Sequence, residues 1–352
     1  MLDACGARVV PTSNGHALTE SVRGCETLCQ LVAEEAAGVA AQSGRCLLIG
    51  LDVPFLGLAP HTPDDMDLLL VPRSTAMVAH PEDRARIRWE WAGLRSVAAK
   101  GGRIAAISQH MRWHLRQDYG IPARTLLDLT NGLLLEEETA QPSAELPLPA
   151  CARAGFLLAM GRAVPEKGFE DLLIALALLR SQRIRLPHLV LAATSTTPQA
   201  DAYQALLAQI IREHQVDATL ITRFTPTVRG WLHSPALRAV IVPSREEPFG
   251  RIPLEAFAAK AGPVVATRTG GLTQTVLDGV TGYAATPNDP DSLAKAIHRA
   301  LTVTPREREQ LVSAGSALLK TRHDYLATIR TAVTKIAPWA LAPSATAWGE
   351  SR

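Results

Sequence analysis

Short apolar runs alternate along the chain with longer segments in which apolar residues recur every three to four positions. An apolar run of about four to eight residues predicts a buried strand, and the longer periodicity predicts an amphipathic helix. Strands that alternate with helices are typical of doubly wound α/β domains with parallel sheets. In the first half, the predicted strands are 7–11, 46–53, 66–72, 104–108 and 125–129, and the predicted helices are 19–42, 82–99 and 110–119.

The second half repeats this pattern more regularly. Its predicted strands are 155–160, 188–193, 218–224, 239–243 and 263–267, and its predicted helices are 169–182, 197–214, 252–259, 272–277, 291–301, 306–319 and 323–336. An acidic and then proline-rich stretch separates the halves and predicts a linker. We expect an N-terminal domain over residues 1–135, a linker over 136–153 and a C-terminal domain over 154–322. Residues 323–352 form a predicted terminal helix and tail that could return to the N-terminal domain.

Length and charge narrow the class of protein. The chain has 352 residues, which fits two domains of ordinary size, and its formal net charge is +2. A charge so close to neutral gives no whole-molecule attraction to nucleic acid. No uncharged apolar run reaches the roughly 20 residues that span a bilayer, and the N-terminus lacks the pattern of a signal peptide. We therefore expect a cytoplasmic protein.

The cysteines agree with a reducing compartment, because their number, five, is odd. Cys25 and Cys29 lie four positions apart on a predicted helix, without the further cysteines or histidines of a zinc site. We interpret them as buried free thiols.

Two glutamates mark the most informative segment, residues 243–272. Glu247 and Glu255 stand eight positions apart, the first in a loop and the second in the helix that follows. A helix beginning near Gly250 would present the amides of Phe249, Gly250 and Arg251 at its N-terminus, where the helix dipole favours an anionic or hydroxyl-rich ligand. The alternative interpretation of the two glutamates is a solvated helix face.

An earlier loop contains two cations. Arg162 and Lys167 follow a predicted strand and precede a helix, and Gly161 and Gly168 bracket them. Two cations in such a loop can neutralise a diphosphate. The alternative is a pair of surface cations beside a turn.

Residues 243–272 resemble the E-x7-E signature of retaining GT-B glycosyltransferases of family four, also called glycosyl transferases group one. The resemblance extends over most of residues 155–302. It includes the run from Gly161 to Gly168, Gly270-Gly271-Leu272, the run from Asp278 to Tyr283, and Asn288-Asp289-Pro290. It implies a GT-B fold, in which two Rossmann-like doubly wound domains face each other across a cleft. The C-terminal domain then binds a nucleoside diphosphate sugar, and the N-terminal domain supplies most of the acceptor site.

The resemblance also implies roles for single residues. Glu247 lies near the donor sugar, and Glu255 accepts hydrogen bonds from the ribose hydroxyls. Arg162 and Lys167 neutralise the diphosphate, so no metal or other cofactor is expected. Backbone atoms complete the donor site through Phe249, Gly250, Gly161, Gly270 and Gly271, with Arg251 alongside. Arg223 and Phe224 are candidates for the base pocket, with ordinary packing and a solvated cation as the alternative.

The N-terminal half departs from the family pattern. The usual strand, glycine-rich loop and helix at the start have no good match, and Gln274 stands where the family often has an acidic residue. The family often places a histidine at the end of a middle strand of this domain, next to the reacting sugar. Here Arg73 has that position, and His80 is the nearest histidine. We assign Arg73 to the acceptor side and His80 to the catalytic set, with a surface histidine as the alternative.

Residues 84–124 are rich in arginine, with three tryptophans interleaved: Trp89, Trp91 and Trp113. The favoured interpretation is an amphipathic helix that packs its tryptophans into the core and leaves its arginines in solvent. The alternative is a surface for an anionic acceptor or a membrane.

These observations predict a retaining, metal-independent glycosyltransferase of the hexosyltransferase type. It would move a sugar from a nucleoside diphosphate sugar to a glycan or a small molecule such as a natural-product aglycone. Two alternatives remain. One is a non-catalytic GT-B relative that binds or activates a partner, and the other is a GT-B sugar phosphorylase.

Overall fold

The computed structural model describes residues 21–135, 148–194, 198–223 and 225–341, and it divides into two compact units. Unit 1 runs to Ile107 and adds Arg112–Asp128 and the residues from Thr331 onwards, whereas unit 2 contains Ser108–Met111 and Leu129–Arg330. The predicted strand at 7–11, Phe224, most of the predicted linker and the end of the tail lie outside the described residues. None of the described helices is long and apolar enough to cross a membrane.

Unit 1 is built on four parallel strands in the order β1-β2-β3-β4. The strands are β1 Leu47–Leu51, β2 Asp67–Val71, β3 Arg103–Ala106 and β4 Leu126–Asp128, and the helices between and before them are α1 Val22–Ser43, α2 Ala76–Ala79, α3 Arg84–Ala99 and α4 Gln109–Gln117. The strands are short and apolar because a parallel sheet is covered by helices on its faces. Near the C-terminus, Trp339 donates a hydrogen bond from Nε1 to Asp67 Oδ2 at 2.9 Å, so this end of the chain packs on unit 1.

Unit 2 is built on six parallel strands in the order β10-β9-β8-β5-β6-β7. The strands are β5 Phe156–Arg162, β6 His188–Thr194, β7 Ala218–Ile221, β8 Leu237–Val242, β9 Val264–Thr267 and β10 Tyr283–Ala285. The helices are α5 Phe169–Ser181, α6 Pro198–Glu213, α7 Ile252–Ala258, α8 Leu272–Thr275, α9 Pro290–Thr302 and α10 Pro305–Arg322. The last helix, α11 Tyr325–Ile336, begins in unit 2 and passes into unit 1 at Thr331. The strand order reverses direction around β5, and doubly wound sheets bind ligands beyond the carboxyl ends of their strands at such a point.

Local sequence explains where the helices of unit 2 begin. Asp289 precedes α9 and accepts a hydrogen bond from the amide of Ser292, with Pro290 at the first helical position. Thr304 precedes α10 and forms a capping box with Glu307. Such side chains satisfy amides that a helix leaves unpaired at its N-terminus.

The prediction of two parallel α/β domains is confirmed, and most predicted elements are present within a few residues of their expected ends. The sequence analysis missed β10, α2 and the 3-10 helix Pro226–His233. At three residues, β10 is too short to show a periodicity. It exists because Tyr283 and Ala285 pair with β9.

The interpretation that the three tryptophans of residues 84–124 pack into the core is wrong for two of them. Trp91 is 43% exposed and Trp113 is 58% exposed. Only Trp89 is held by a polar partner inside unit 1, since its Nε1 donates to Glu26 Oε2 at 2.7 Å. Cys25 and Cys29 are buried free thiols, as predicted.

Candidate active site

The candidate site begins at the carboxyl end of β5, the strand at which the sheet of unit 2 reverses its order. β5 is buried through its first four residues and emerges at Gly161 and Arg162. The chain then forms the 3-10 turn Pro165–Lys167 and enters α5 through Gly168, which has φ 63°. A Cβ on Gly168 would overlap the carbonyl oxygen of Pro243. Glycine therefore allows this loop to touch the loop that follows β8.

The loop after β8 contains the first glutamate of the signature and is tied to the β5 loop by hydrogen bonds. The amide of Arg245 donates to the carbonyl of Glu166 at 2.8 Å. The Arg245 guanidinium binds both carboxylate oxygens of Asp171, at 2.8 and 2.7 Å. These bonds raise the pKa of Arg245. A bidentate pair of this kind fixes direction as well as distance, so the two loops are held as one platform.

Lys167 and Glu247 meet on this platform. Lys167 Nζ lies 2.5 Å from Glu247 Oε2, and both side chains are mostly buried. Ser244 Oγ donates to the same carboxylate oxygen at 3.3 Å. The arrangement places a cation and an anion side by side where two neighbouring strands end.

The second glutamate of the signature, Glu255, is buried on the first turn of α7, with only 4% of the residue exposed. Its Oε1 lies 3.1 Å from Arg229 Nη2 and 3.9 Å from Arg251 Nε. The alternative interpretation of Glu255 as a solvated residue on a helix face is therefore wrong. A buried carboxylate needs a charged or hydrogen-bonding partner, and Arg229 supplies one.

The helix that contains Glu255 begins at Ile252, as the predicted helix 252–259 does, and not near Gly250, where the prediction of exposed amides placed its start. α7 starts at Ile252 and has seven residues, and Gly250 has φ 84°, which is not helical. The amides of Phe249 and Gly250 therefore precede the helix instead of forming its first turn. Within the described residues, the amides of Phe249, Gly250 and Arg251 donate no hydrogen bond.

A glycine pair closes one side of the site. The amide of Gly271 donates to the carbonyl of Glu247 at 3.0 Å. Gly270 has φ 47°, and a Cβ there would overlap the same carbonyl oxygen. The loop after β9 therefore packs directly against the backbone of Glu247. A residue with a Cβ at position 270 would prevent this close approach.

The C-terminal half of the chain matches the model of a known protein family. Residues 152–317 match the model of the family described as glycosyl transferases group 1. This part of the chain is a domain of that family. Within the match lie Lys167, Glu247, Glu255 and the Gly270-Gly271 pair.

Curated relatives are glycosyltransferases. Over 246 residues, the chain is 33% identical to the D-inositol 3-phosphate glycosyltransferase of Geodermatophilus obscurus, covering 67% of this chain and 51% of the relative. Over 212 residues, it is 31% identical to the lipopolysaccharide 1,2-N-acetylglucosaminetransferase of Salmonella typhimurium, covering 58% and 54% of the two chains. The chain thus spans about half the length of these two relatives.

Solved structures with the same fold cover nearly all of this chain. Sucrose-phosphate synthase from Thermosynechococcus elongatus has a TM-score of 0.70 at 24% identity, covering 90% of this chain and 79% of its own. Anabaena HepE in complex with UDP has a TM-score of 0.70 at 19% identity, covering 96% and 88%. The predicted GT-B fold class is confirmed.

The predicted donor-site residues of unit 2 lie in different surroundings. Arg162 is exposed at the end of β5, and Arg251 is exposed beside Glu255. Phe249 is buried, with its ring centre 5.7 Å from that of His323. Arg223 is exposed beyond the edge strand β7, two strands away from β5.

The two N-terminal candidates are surface residues of unit 1. Arg73 is exposed just after β2, at the carboxyl end of its strand as expected. The His80 side chain is 62% exposed and lies 3.7 Å from Glu82. Both N-terminal assignments stay predictions.

Sequence reasoning missed two residues of unit 2. Arg229 pairs with Glu255 from the 3-10 helix Pro226–His233. His110 lies beside the glycine pair, because its Cδ2 is 3.5 Å from where a Cβ on Gly270 would stand. The sequence did indicate His110 as a candidate, because this residue follows the carboxyl end of β3. Functional residues of parallel sheets often lie at the carboxyl ends of the strands. Gln274, in place of the family's acidic residue, accepts a hydrogen bond from the amide of Gln109 at 2.9 Å.

Proposed function

We propose that this protein is a retaining glycosyltransferase that moves a sugar from a nucleoside diphosphate sugar to a hydroxyl group of an acceptor. The observation that supports this most strongly is the pair of Lys167 and Glu247, held 2.5 Å apart where β5 and β8 end. The cation suits the diphosphate of the donor, and the carboxylate suits the hydroxyls of its sugar. Arg162 adds a second cation at the end of β5.

In the proposed reaction, the bond between the anomeric carbon and the diphosphate breaks. The acceptor oxygen forms a new bond to that carbon on the same face, and the acceptor proton passes to the leaving phosphate. No side chain serves as a covalent nucleophile. The chain acts by orienting the two substrates and stabilising charge as it develops on the diphosphate and on the sugar ring.

Glu255 is proposed to accept hydrogen bonds from the ribose of the donor. Its carboxylate is buried and already faces Arg229 and Arg251. An ionised carboxylate accepts strong hydrogen bonds from hydroxyl groups. We assign Arg229 a positioning role, since it acts on the ribose only through Glu255.

We propose that transfer needs no metal ion. Lys167 and Arg162 provide positive charge for the leaving diphosphate, which is the task of Mg²⁺ in many reactions of nucleotides. The prediction is that a chelator leaves the rate of transfer unchanged.

The acceptor is proposed to be a hydroxylated small molecule, with a natural-product aglycone or an inositol phosphate as examples. The name of one relative, D-inositol 3-phosphate glycosyltransferase, motivates the second example. We propose that Arg73 and His80 of unit 1 contribute to acceptor binding or transfer.

The test is to measure thermal unfolding with a panel of UDP-, GDP- and ADP-sugars, and then the release of nucleoside diphosphate with acceptors of both kinds. We expect one donor to raise the unfolding temperature and to support acceptor-dependent release, with the anomeric configuration of the product retained by NMR. Donor binding without transfer to any acceptor would favour a non-catalytic relative. Release of sugar phosphate with inorganic phosphate as acceptor would identify a phosphorylase.

A further inference from the structure

One face of unit 1 concentrates positive charge to a degree that the whole chain does not. Residues 84–124 contain eight arginines and one lysine against two carboxylates, whereas the formal net charge of the whole chain is +2. Both carboxylates have side-chain partners inside unit 1. Glu90 is fully buried, and Asp118 pairs with His114 at 2.5 Å.

One side of α3 forms the first part of this positively charged surface. Arg84, Arg88, Trp91 and Arg95 are spaced by four, three and four residues, which places them along one side of a helix. All four are exposed, whereas the opposite side of α3 is buried through Gly93, Leu94 and Val97. The Arg95 guanidinium lies over the Trp91 ring, 4.5 Å from its centre. Cation and indole therefore form one surface.

The face continues onto α4. Arg95 Nη1 is 3.6 Å from where a Cβ on Gly120 would stand, so the end of the α3 stripe reaches the turn that follows α4. Trp113 and Arg116 lie on the exposed side of α4, with Met111 and Leu115 buried on its other side. We call the resulting surface the basic face, and it consists of Arg84, Arg88, Trp91, Arg95, Trp113 and Arg116.

The charges of the basic face are available to a partner. Within the part of the chain that the structure describes, no salt bridge engages Arg84, Arg88, Arg95 or Arg116, although Arg86 pairs with Glu90 and Arg112 pairs with Asp128. The two tryptophans together expose large aromatic surfaces, which is costly in water. The face thus combines unpaired cations with exposed indoles on two adjacent helices.

We propose that the basic face docks unit 1 on the surface of a bilayer that contains anionic lipid. Indole rings prefer the boundary between headgroups and acyl chains, where the ring is partly apolar and its N–H finds polar partners. Arginines next to a negatively charged leaflet gain about 1 kcal/mol each. An aromatic and basic helix face that lies flat in this boundary satisfies both groups at once.

The test is co-sedimentation of the full chain with vesicles of phosphatidylcholine alone and with vesicles enriched in phosphatidylglycerol. We expect binding to the anionic vesicles only, weakening as salt is added, together with a blue shift of tryptophan emission. The variant R88E/R95E should weaken this binding by roughly 1,000-fold, because it changes the charge of the face by four units, each of about 1 kcal/mol. W91A/W113A should weaken binding by about tenfold and remove most of the blue shift.

Two control variants change the net charge or the exposed apolar surface by substitutions outside the basic face. R212E/R306E reverses two exposed arginines on α6 and α10 and so gives the same net charge as R88E/R95E. L206A/L326A removes exposed apolar side chains of unit 2. Both controls should bind anionic vesicles as the parent protein does. All four substituted surfaces are exposed, so thermal unfolding should confirm that each variant is folded.

Three results would overturn the proposal. The parent protein could remain in the supernatant with anionic vesicles, or R212E/R306E could weaken binding as much as R88E/R95E. The basic face could also bind a different partner. Concentration-dependent dimers lost in W91A/W113A would make it an interface between copies of this chain, and binding of single-stranded RNA without vesicle binding would make it a nucleic-acid surface. No donor or acceptor sugar is needed, so the outcome does not depend on the proposed transferase activity.

Discussion

The Lys167 ammonium lies against Glu247, so a donor diphosphate would have to share this cation with a carboxylate already in place. This competition between the carboxylate and the diphosphate for Lys167 would favour a transfer reaction. The ion pair holds both side chains in one geometry before the donor arrives, and the diphosphate gains the cation most strongly as negative charge grows on it during transfer. Arg162 is exposed and engages no carboxylate among the described residues. It can therefore turn towards the donor without breaking a pair.

The first prediction concerns these two cations. Lys167→Ala and Arg162→Ala should each reduce the efficiency of transfer by roughly 2–4 kcal/mol in transition-state free energy, because each removes positive charge from the leaving diphosphate. Steady-state kinetics with the donor varied would measure this loss. Arg212→Ala, an exposed arginine on α6, is the control and should behave as the parent protein does. Unchanged kinetics in both site variants would exclude the diphosphate assignment.

The second prediction separates the two glutamates. Glu247→Gln should lower turnover more than donor affinity, because contacts with the sugar matter most when positive charge develops on the ring. Glu255→Gln should mainly weaken donor binding, since the ribose is remote from the bonds that change. Donor affinity by calorimetry and turnover by nucleotide release distinguish the two effects. The opposite pattern would show that the two roles are exchanged.

At the scale of elements, the site depends on loops that approach one another more closely than side chains would allow. The loop after β9 touches the backbone of Glu247 through Gly270 and Gly271, and the loop after β5 touches Pro243 through Gly168. The turn before α11 is held by a side-chain hydrogen bond instead, because His323 Nδ1 donates to the carbonyl of Asn131 at 2.9 Å. Loops thus set the positions of the charged side chains.

The third prediction is that Gly270→Ala destabilises the protein and lowers transfer together. A left-handed backbone costs a residue with a Cβ about 1–3 kcal/mol, and the overlap with the Glu247 carbonyl adds to that. Chemical denaturation and donor kinetics measure the two effects. Gly38→Ala in α1 is the matched control, because a Cβ there meets nothing within 4 Å and alanine favours the helix. Equal stability of the two variants would contradict the close approach.

The fourth prediction concerns pH. Burial, together with the nearby charge of Arg322, lowers the pKa of His323, although its hydrogen bond to Asn131 opposes this shift. Below a pH of about 6.5, the ordinary value, the unfolded chain therefore binds more protons than the folded chain at this site. The resulting stability is fully present above that pH and is lost as the pH falls through the folded pKa.

Chemical denaturation of the parent protein at several pH values should show this loss. His323→Asn retains a donor for the Asn131 carbonyl but has no proton to gain, so its free energy of unfolding should fall less in the same window. His298→Asn changes an exposed histidine and should leave the pH dependence as it is. A parent-like pH profile for His323→Asn would assign the loss to other groups.

At the scale of the whole molecule, the chain divides its chemistry between two units. The group 1 motifs, the paired Lys167 and Glu247, and the buried Glu255 all belong to unit 2. Unit 1 contains Arg73, His80 and the basic face. This division predicts that donor binding and the other steps of the reaction respond to different substitutions.

The fifth prediction tests that division. Arg73→Ala and His80→Ala should lower transfer to the acceptor while leaving donor affinity nearly intact, because the proposed donor contacts belong to unit 2. Donor-dependent thermal shift and acceptor-dependent release measure the two quantities. Arg103→Ala, at the start of β3 and so at the opposite edge of the same sheet, is a control that should transfer normally. Normal transfer by both site variants would remove the loop from 73 to 80 from the active site.

The sequence alone determined the alternation of strands and helices and the motifs of the proposed donor site. The strands of a parallel sheet are covered on their faces, so they appear as uninterrupted apolar runs such as β5 and β6. The loops of the site need glycines and charged residues at particular positions along the chain. These residues therefore form motifs that can be recognised in the sequence. These features depend on residues near one another in the chain, and a single sequence is sufficient to read them.

Only the tertiary structure decided which side chains meet across long separations. It paired Glu255 with Arg229, brought His110 beside Gly270, and made a strand of Tyr283–Ala285 by pairing it with β9. It also left Trp91 and Trp113 exposed, although an aromatic residue on an amphipathic helix usually indicates a core position. Periodicity identifies the residues that share a face of a helix. Which face packs inward depends on the neighbouring elements, and their positions are fixed only when the chain has folded.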